Sequence, residues 1–433
     1  MNIILLSGGS GKRLWPLSND ARSKQFIKFL KNDDGEYESM LQRIYRQVKK
    51  ADSEATVTIA AGKSHVSNIR NQLGDSVEIC LEPARRDTFP AILLATLYLR
   101  DIRGIDENET VVVCPVDPYT GDDYFEAVSE LSELARDENY RLSLMGCRPT
   151  YPSEKYGYII PETTGSVSRV LEFKEKPSED DAREYIRRGG LWNCGVFAFR
   201  IKDIAAYSGG MDYDALLSAY ESMEAISFDY AVCEKERDIQ VLAYEGEWKD
   251  IGTWNTFTEV MPEAVVGNAV LDETCRNVNI ANQLDIPVLA MGLEDVVIAA
   301  SPDGILVADK SRSSYMKPYV DEMDAQSRYA EKSWGSYKVI DMTEESLTMK
   351  VTLEEGSSMK YHSHERRDEV WTVTEGSGRI IVDGMEQSVA AGDVISIMAG
   401  CRHTVIADSR MTLIEVQLGR DIDVRDKIKH ELE

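Results

Sequence analysis

No stretch of this chain approaches the roughly eighteen consecutive apolar residues that a membrane-spanning helix needs, so no span is expected. CxxC pairs are missing as well. The seven cysteines, at 80, 114, 147, 194, 233, 275 and 401, are scattered and odd in number. That argues against a disulfide framework and for reduced thiols in a cytoplasmic protein. Basic residues are in deficit: 49 Lys and Arg against 75 Asp and Glu give a formal net charge of -26. So acidic a surface argues against nucleic acid and anionic membranes as partners. It leaves room for a nucleotide, because a local Lys/Arg pocket with a metal overcomes a distant negative field. Internal repeats and low-complexity tracts are absent.

What is present begins at once. Asn2–Leu6 is a short run rich in Ile and Leu that reads as a buried strand rather than a leader peptide. It runs into Ser7-Gly8-Gly9-Ser10-Gly11 and then Lys12-Arg13. Glycines let the backbone approach a phosphate and turn its N–H groups inward, and Arg13 adds a fixed fork of donors. A first strand followed by a Gly-rich loop is how a doubly wound α/β domain builds a nucleotide site. The pattern is neither GxGxxG nor a loop ending in GK[ST], so a dinucleotide fold and a P-loop are poorer matches.

At 433 residues, 43% of them hydrophobic, two or three domains are expected. To about residue 261, strand-like runs (55–61, 110–116, 142–145, 195–199) alternate with amphipathic stretches (124–136, 179–188). That rhythm predicts a doubly wound, mostly parallel α/β sheet covered by helices. Residues 262–333 read as a connector packed on the first domain, with short strands at 295–300 and 305–308 around Ser301-Pro302-Asp303-Gly304. From 334 to 433, alternating strands with Gly turns predict a small antiparallel β-barrel.

Nucleotidyl transfer needs a triphosphate cradle, a divalent metal and a held sugar phosphate that attacks in line. Asp117 follows an apolar run and so sits at a strand's carboxyl end, where open α/β sheets bind ligands. Asp250 lies in Trp248-Lys249-Asp250-Ile251-Gly252-Thr253-Trp254. Two carboxylates with phosphate oxygens suit Mg²⁺, although a lone Asp after a strand is as often a helix or turn cap.

The string from Gly9 to Ser18, with Lys24-Gln25-Phe26 after it, resembles the nucleotidyltransferases that activate sugar 1-phosphates. The version with Trp15 resembles the mannose-1-phosphate guanylyltransferases. Further segments extend the resemblance over two thirds of the chain. Glu82-Pro83-Ala84-Arg85-Arg86-Asp87-Thr88-Phe89-Pro90 resembles the base-recognition segment. Tyr156-Gly157-Tyr158-Ile159, Phe173-Lys174-Glu175-Lys176-Pro177 and Trp192-Asn193-Cys194-Gly195 resemble the sugar-phosphate segments. Ser227–Ala231 and Trp248–Trp254 match the last motifs. The resemblance implies that Gly8, Gly9, Gly11 and Arg13 hold the triphosphate with Lys24 assisting. It implies Glu82, Arg86, Asp87 and Thr88 at the base, and Gly157, Glu175, Lys176, Asn193 and Gly195 at the sugar phosphate. Asp117 and Asp250 would hold Mg²⁺. The substrates implied are GTP and mannose 1-phosphate, and the assembly a homo-oligomer, a dimer. Three departures bear on the substrate: Asp87 replaces the family's Asn, Pro118 its His and Lys12 its Thr or Ser. A carboxylate at 87 still accepts from guanine N1–H and N2–H₂.

In the last hundred residues, Gly356, His362, His364, Glu369 and Gly376, then Gly392, Gly400 and His403, reproduce the spacing of the two cupin motifs. His362 and His364 share one strand face. With Glu369 and His403 they form a three-His, one-carboxylate set suited to zinc or another divalent transition metal. Trp334-Gly335-Ser336-Tyr337 and Glu369-Val370-Trp371 resemble the type II mannose-6-phosphate isomerase domain fused to such guanylyltransferases. Two extra residues separate His364 from Glu369, and Lys360, Arg366, Arg367 and Arg402 all lie off the family's Arg positions. Rival readings are another NTP or sugar 1-phosphate, a non-catalytic sugar-nucleotide sensor, and a barrel that only binds metal or sugar.

Overall fold

The computed structural model describes every residue except 10–11, 20, 324–326, 421, 423–425 and 432–433. Gly11, placed at the triphosphate above, therefore lies outside the described residues. By contact the chain divides into two units. One comprises Met1–Leu14 and Ser23–Ala264, the other Trp15–Arg22 and Val265–Glu433.

The first unit is built on a nine-stranded sheet. Its order is Glu78–Glu82, Thr56–Gly62, Asn2–Leu6, Thr110–Pro115, Leu191–Arg200, Leu142–Cys147, Ile239–Tyr244, Val167–Lys174 and Tyr158–Pro161. The first four strands run parallel. Leu191–Arg200 runs antiparallel to both its neighbours, and Leu142–Cys147 and Ile239–Tyr244 are parallel again.

Alternation decides the two layers. Ile3, Leu5, Val112 and Cys114 point to one face, where the helices Met40–Ala51, Val66–Leu73 and Tyr124–Leu134 pack. Ile4, Val111 and Val113 point to the other, against Thr88–Leu97, Ile201–Ala205 and Tyr213–Ala219. Both faces are predominantly apolar because both are covered. The helix Met40–Ala51 starts at a capping box, with the Ser39 hydroxyl on the Gln42 amide and the Gln42 side chain returning to Ser39, a device worth about 1 kcal/mol. Thr88–Leu97 buries every residue from Pro90 to Leu97, so it reads as apolar all round rather than amphipathic.

In the second unit, Val265–Val266, Asn279–Asn282 and Val296–Ser301 stack in parallel, and Gly304–Asp309 closes that sheet antiparallel. Ala269–Leu271 and Val288–Ala290 form a second parallel pair. The segment expected as a connector on the first domain groups instead with the barrel. What it holds from the amino-terminal region is Trp15–Arg22, which joins it in the same unit. The barrel itself is two sheets. One has six strands: Tyr329–Lys332, Gly335–Met342, Ser346–Leu353, Met411–Leu418, Asp368–Glu375 and Val394–Ile397. The other has five: Met385–Ala390, Ser377–Val382, His403–Ala407, His362–Ser363 and Ile428–Lys429. Trp371, Leu353, Ile380, Val405 and Leu413 fill the space between them.

Candidate functional site

The carboxyl end of Asn2–Leu6 opens into the Gly-rich loop. Gly8 and Gly9 line a cavity of about 760 Å³ with Gly62, His65, Glu82, Arg86, Asp87, Thr88 and Asp117. Gly9 has φ 122°, a conformation that glycine adopts without strain. Three side chains fix the loop from beneath. His65 Nδ1 lies 2.9 Å from the Ser7 carbonyl oxygen and Nε2 3.0 Å from Ser23 Oγ. Ser23 Oγ donates to the Gly9 carbonyl at 3.2 Å, and the Gln25 amide donates to the Ser7 carbonyl at 3.3 Å. His65 and Gln25 were not singled out in the sequence. Burial holds the His65 imidazole below its usual pKa.

On the base side, Glu82 is buried and accepts from Tyr220 Oη at 3.0 Å; burial raises its carboxyl. Asp87 caps Thr88–Leu97, its Oδ1 accepting from the Thr88 amide at 2.7 Å. Its φ of 65° is unusual for a side chain other than glycine. Arg86 donates to the Glu221 carbonyl. Its guanidinium is therefore engaged with a turn of its own unit.

A smaller cavity of about 220 Å³ adjoins, sharing Leu6, Thr88, Pro115 and Asp117 with the first. Gly157, Glu175, Asn193, Gly195 and Asp250 line it, as do Lys155, Tyr156, Asp229 and Trp248. A β-carbon on Gly157 would sit 2.5 Å from Glu175 Oε2, so only glycine lets that carboxylate approach. Lys176, at φ 46°, pairs with Glu175 at 2.8 Å. The Asn193 amide donates to Asp229 Oδ1 at 2.7 Å, and its carbonyl accepts from the Gly195 amide at 3.1 Å. Burial, reinforced by the Glu175 charge, pushes Asp229 up to about 7.

Asp117 and Asp250 come together because Trp248–Asp250 pairs antiparallel with Pro118–Thr120, setting Asp250 opposite Pro118. Lys24 Nζ lies 2.9 Å from Asp117 Oδ2. Burial raises the Asp117 carboxyl, but the Lys24 ammonium against it, helped by Arg13, wins and holds it below the ordinary range. Asp250 goes the other way: burial raises it, Lys24 opposes, and the Asp117 charge adds to the rise. Two facing carboxylates whose repulsion is only partly offset are a donor set that fits a hard divalent cation.

In the barrel, His362 pairs with His403 in register, and His364 follows on the same face. The ligand nitrogens of the three buried imidazoles all lie within 4.8 Å of one another. Each Nδ1 meets a backbone carbonyl: Lys360 at 2.6 Å for His362, Cys401 at 3.0 Å for His403, and Asp426 for His364. Those contacts turn every Nε2 inward. Glu369 Oε1 is 3.1 Å from His364 Nε2 and Oε2 3.3 Å from His403 Nε2, yet the buried His403 Nε2 finds no hydrogen-bond partner. Burial lowers His362 to about 3, so its lone pair stays free. An orphaned inward nitrogen beside two others fits a transition-metal ion.

Of the four cations considered for this site, the structure brings in only Arg367. It is buried, with Nη2 3.0 Å from His364 Nε2 and Nε donating to Glu369 at 3.2 Å. Lys360, Arg366 and Arg402 are exposed. Glu415 and Lys427 were missed. Burial, then the Glu369 charge, pushes Glu415 up to about 8, and burial lowers Lys427.

The nucleotidyl transferase family profile matches residues 2–265. The chain belongs to that family. A cupin domain profile matches residues 349–417. This nucleotidyl transferase is 28% identical to a putative mannose-1-phosphate guanylyltransferase of Vibrio cholerae, over 99% of each chain. It is 30% identical to the alginate biosynthesis protein AlgA of Pseudomonas putida, over 88% of this chain and 84% of that one. Among solved structures, a Thermus thermophilus protein described as a mannose-1-phosphate geranyltransferase superposes with a TM-score of 0.63. That match has 28% identity and covers 75% of this chain and 99% of that one. No helix among the described residues is long and apolar enough to cross a membrane.

Proposed function

We propose that the protein makes GDP-mannose and pyrophosphate from GTP and mannose 1-phosphate. The observation that carries this is Asp117 lining both the larger and the smaller cavity, with Asp250 in the lining of the smaller. One is sized for a nucleoside triphosphate, the other for a sugar phosphate. The amides of Gly8 and Gly9, with Arg13 and Lys24, receive the triphosphate. Glu175, Lys176, Asn193 and Gly195 hold the sugar phosphate so that its oxygen faces the α-phosphorus in line with the departing pyrophosphate. Asp117 and Asp250 would hold Mg²⁺, which neutralises phosphate charge when bound. The relatives named for mannose-1-phosphate guanylyl transfer support the sugar and the base. A matrix of NTPs against sugar 1-phosphates, read by pyrophosphate release, tests it. GTP with mannose 1-phosphate should give the highest kcat/KM, and a higher value for another pair overturns the assignment.

A second reading concerns the barrel. His362, His364, His403 and Glu369 would hold zinc or a similar ion, which supplies Lewis acidity when bound. Buried Arg367 provides a cation for a phosphate, and Glu415 a proton-transfer group. That set favours interconversion of mannose 6-phosphate and fructose 6-phosphate, tested by a coupled assay on the untagged protein. Absence of turnover with metal bound would leave a binding barrel. The protein is expected to be a cytoplasmic dimer. The exposed Val270, Ile286, Leu289 and Met291 on the stacked coil support an association surface, which sedimentation checks.

A further inference from the structure

The strand Leu191–Arg200 falls out of step with its neighbour at the smaller cavity. Asn193 pairs with Gly146 and Phe197 with Leu144, so Cys194, Gly195 and Val196 stand opposite Met145 alone. Gly195 takes φ 71° in this bulge, a left-handed conformation that suits glycine. Its amide donates to Asn193 Oδ1 at 3.1 Å rather than to a neighbouring strand. The Asn193 side chain therefore closes the turn that follows it.

The other end of that side chain is taken by Asp229. Asn193 Nδ2 donates to Asp229 Oδ1 at 2.7 Å. Asp229 is delivered there by the residue before it. Phe228 is fully buried, its ring centroid 4.7 Å from that of Phe197 on the Asn193 strand. Its amide donates to Thr88 Oγ1 at 2.8 Å, and the Phe89 amide donates to the Ile226 carbonyl at 3.1 Å. The segment is thus clamped to the start of Thr88–Leu97, within the same unit. With Oδ1 on Gly195 and one N–H on Asp229, the Asn193 amide has one orientation. Turned over, it would set its nitrogen against the Gly195 N–H and its oxygen against the carboxyl. The second N–H on Nδ2 has no acceptor among the described residues, and Asn193 lines the smaller cavity with Glu175 and Asp229.

We propose that Asp229 is a positioning residue for sugar-phosphate binding: it fixes the Asn193 amide, and with it the Gly195 turn, so that the remaining N–H serves an oxygen of the sugar phosphate. An amide with a single allowed orientation is set before the substrate arrives. Its ordering cost then falls on folding rather than on binding. Asp229 acts through Asn193 and not on the substrate itself. The inference rests on the reading of Asn193 and Gly195 as sugar-phosphate residues.

The test is steady-state kinetics of the full chain with GTP and mannose 1-phosphate. Asp229→Ala should raise KM for mannose 1-phosphate about tenfold, the scale of one lost oriented hydrogen bond. KM for GTP should stay within about twofold, since Asp229 is not in the lining of the larger cavity. Asp229→Leu fills the same space without an acceptor and should behave alike, which decides the matter if Asp229→Ala folds poorly. Asp229→Asn keeps a carbonyl to accept from Asn193 and should hold KM for mannose 1-phosphate within about threefold of wild type. Asn193→Ala combined with Asp229→Ala should be no worse than Asn193→Ala alone, because both changes remove one arrangement. Wild-type KM for mannose 1-phosphate in folded Asp229→Ala or Asp229→Leu would overturn the proposal. So would equal rises in both KM values, an Asp229→Asn defect as large as that of Asp229→Ala, or a double variant much worse than Asn193→Ala. Asn193→Ala separates the two readings: unchanged KM there refutes the sugar-phosphate assignment, whereas a rise there with intact Asp229 variants refutes the positioning role alone.

Discussion

The two candidate metal centres are built from opposite materials. At the nucleotidyl-transfer cleft the donors are two half-buried carboxylates at strand ends, balanced by the Lys24 ammonium 2.9 Å from Asp117. In the barrel they are buried imidazoles, each locked at Nδ1 by a backbone carbonyl. The first set is hard, charged and open, as a site must be that gathers phosphates and keeps water on its ion. The second is soft, nearly neutral and closed on the protein side. Each region also buries one extra carboxyl beside another carboxylate: Asp229 next to Glu175, and Glu415 next to Glu369. The same electrostatic device thus recurs in an α/β cleft and a β-barrel.

The largest expected effect would break the comparison at its charged end. Asp117→Ala and Asp250→Ala should each lower kcat about 10²-fold or more, since metal and charge stabilisation contribute several kcal/mol to such a transition state. Steady-state pyrophosphate release at saturating Mg²⁺ measures it. Wild-type rates in either variant would remove the carboxylate pair from the reaction.

Next comes the barrel's core. Trp371→Ala empties a fully buried site whose indole also donates to Glu369 at 3.1 Å. It should cost about 3–5 kcal/mol by denaturant unfolding of the barrel transition. The double change His362→Ala with His364→Ala should abolish the one transition-metal ion expected per chain, measured by elemental analysis, and leave guanylyl transfer near wild type. Loss of both functions together would mean that the two centres are not independent.

Base choice is a smaller effect. Asp87→Ala should narrow the preference for GTP over ATP by about tenfold, the scale of one lost hydrogen-bonding group. Competition kinetics reads it, and unchanged discrimination would return Asp87 to its role as a helix cap.

The smallest effect is in pH. The folded Asp229 carboxyl is raised to about 7 from 3.8, so the folded state favours its protonated form. Its burden on stability is absent below about pH 4, grows as pH rises, and is complete above about pH 7. Asp229→Asn should therefore raise Tm more at pH 8 than at pH 5 in thermal melts. An equal change at both values would show that its hydrogen bond to Asn193, not its charge, governs stability.

Legibility in the sequence followed the range of the signal. Gly8, Gly9, Asp117 and the paired histidines sit in short patterns tied to strand ends, and these are local. Asp229 and Glu175 are far apart in the chain and meet only because separate elements deliver them to one pocket. Arg366 and Arg367 are neighbours, yet one is exposed and the other buried against His364. Which of the two turns inward depends on how the two extra residues are taken up before Glu369, and no composition rule reports that. The grouping of Trp15–Arg22 is equally hidden, since nothing in its eight residues names the unit that will bury Leu17 and Ser18.

That grouping bears on how such chains come apart and recombine. The nucleotidyl transferase profile ends at residue 265, but that is not a place where the polypeptide can be parted into two self-sufficient pieces. A fragment ending at Ala264 would carry Trp15, Pro16 and Leu17 with nothing to cover them, and one beginning at Val265 would lack the strand of chain that seats on Ser301 and Gly304. Inheritance of the coil is thereby coupled to inheritance of the amino-terminal signature. A recombination that exchanged one without the other would yield a protein with an exposed apolar arm.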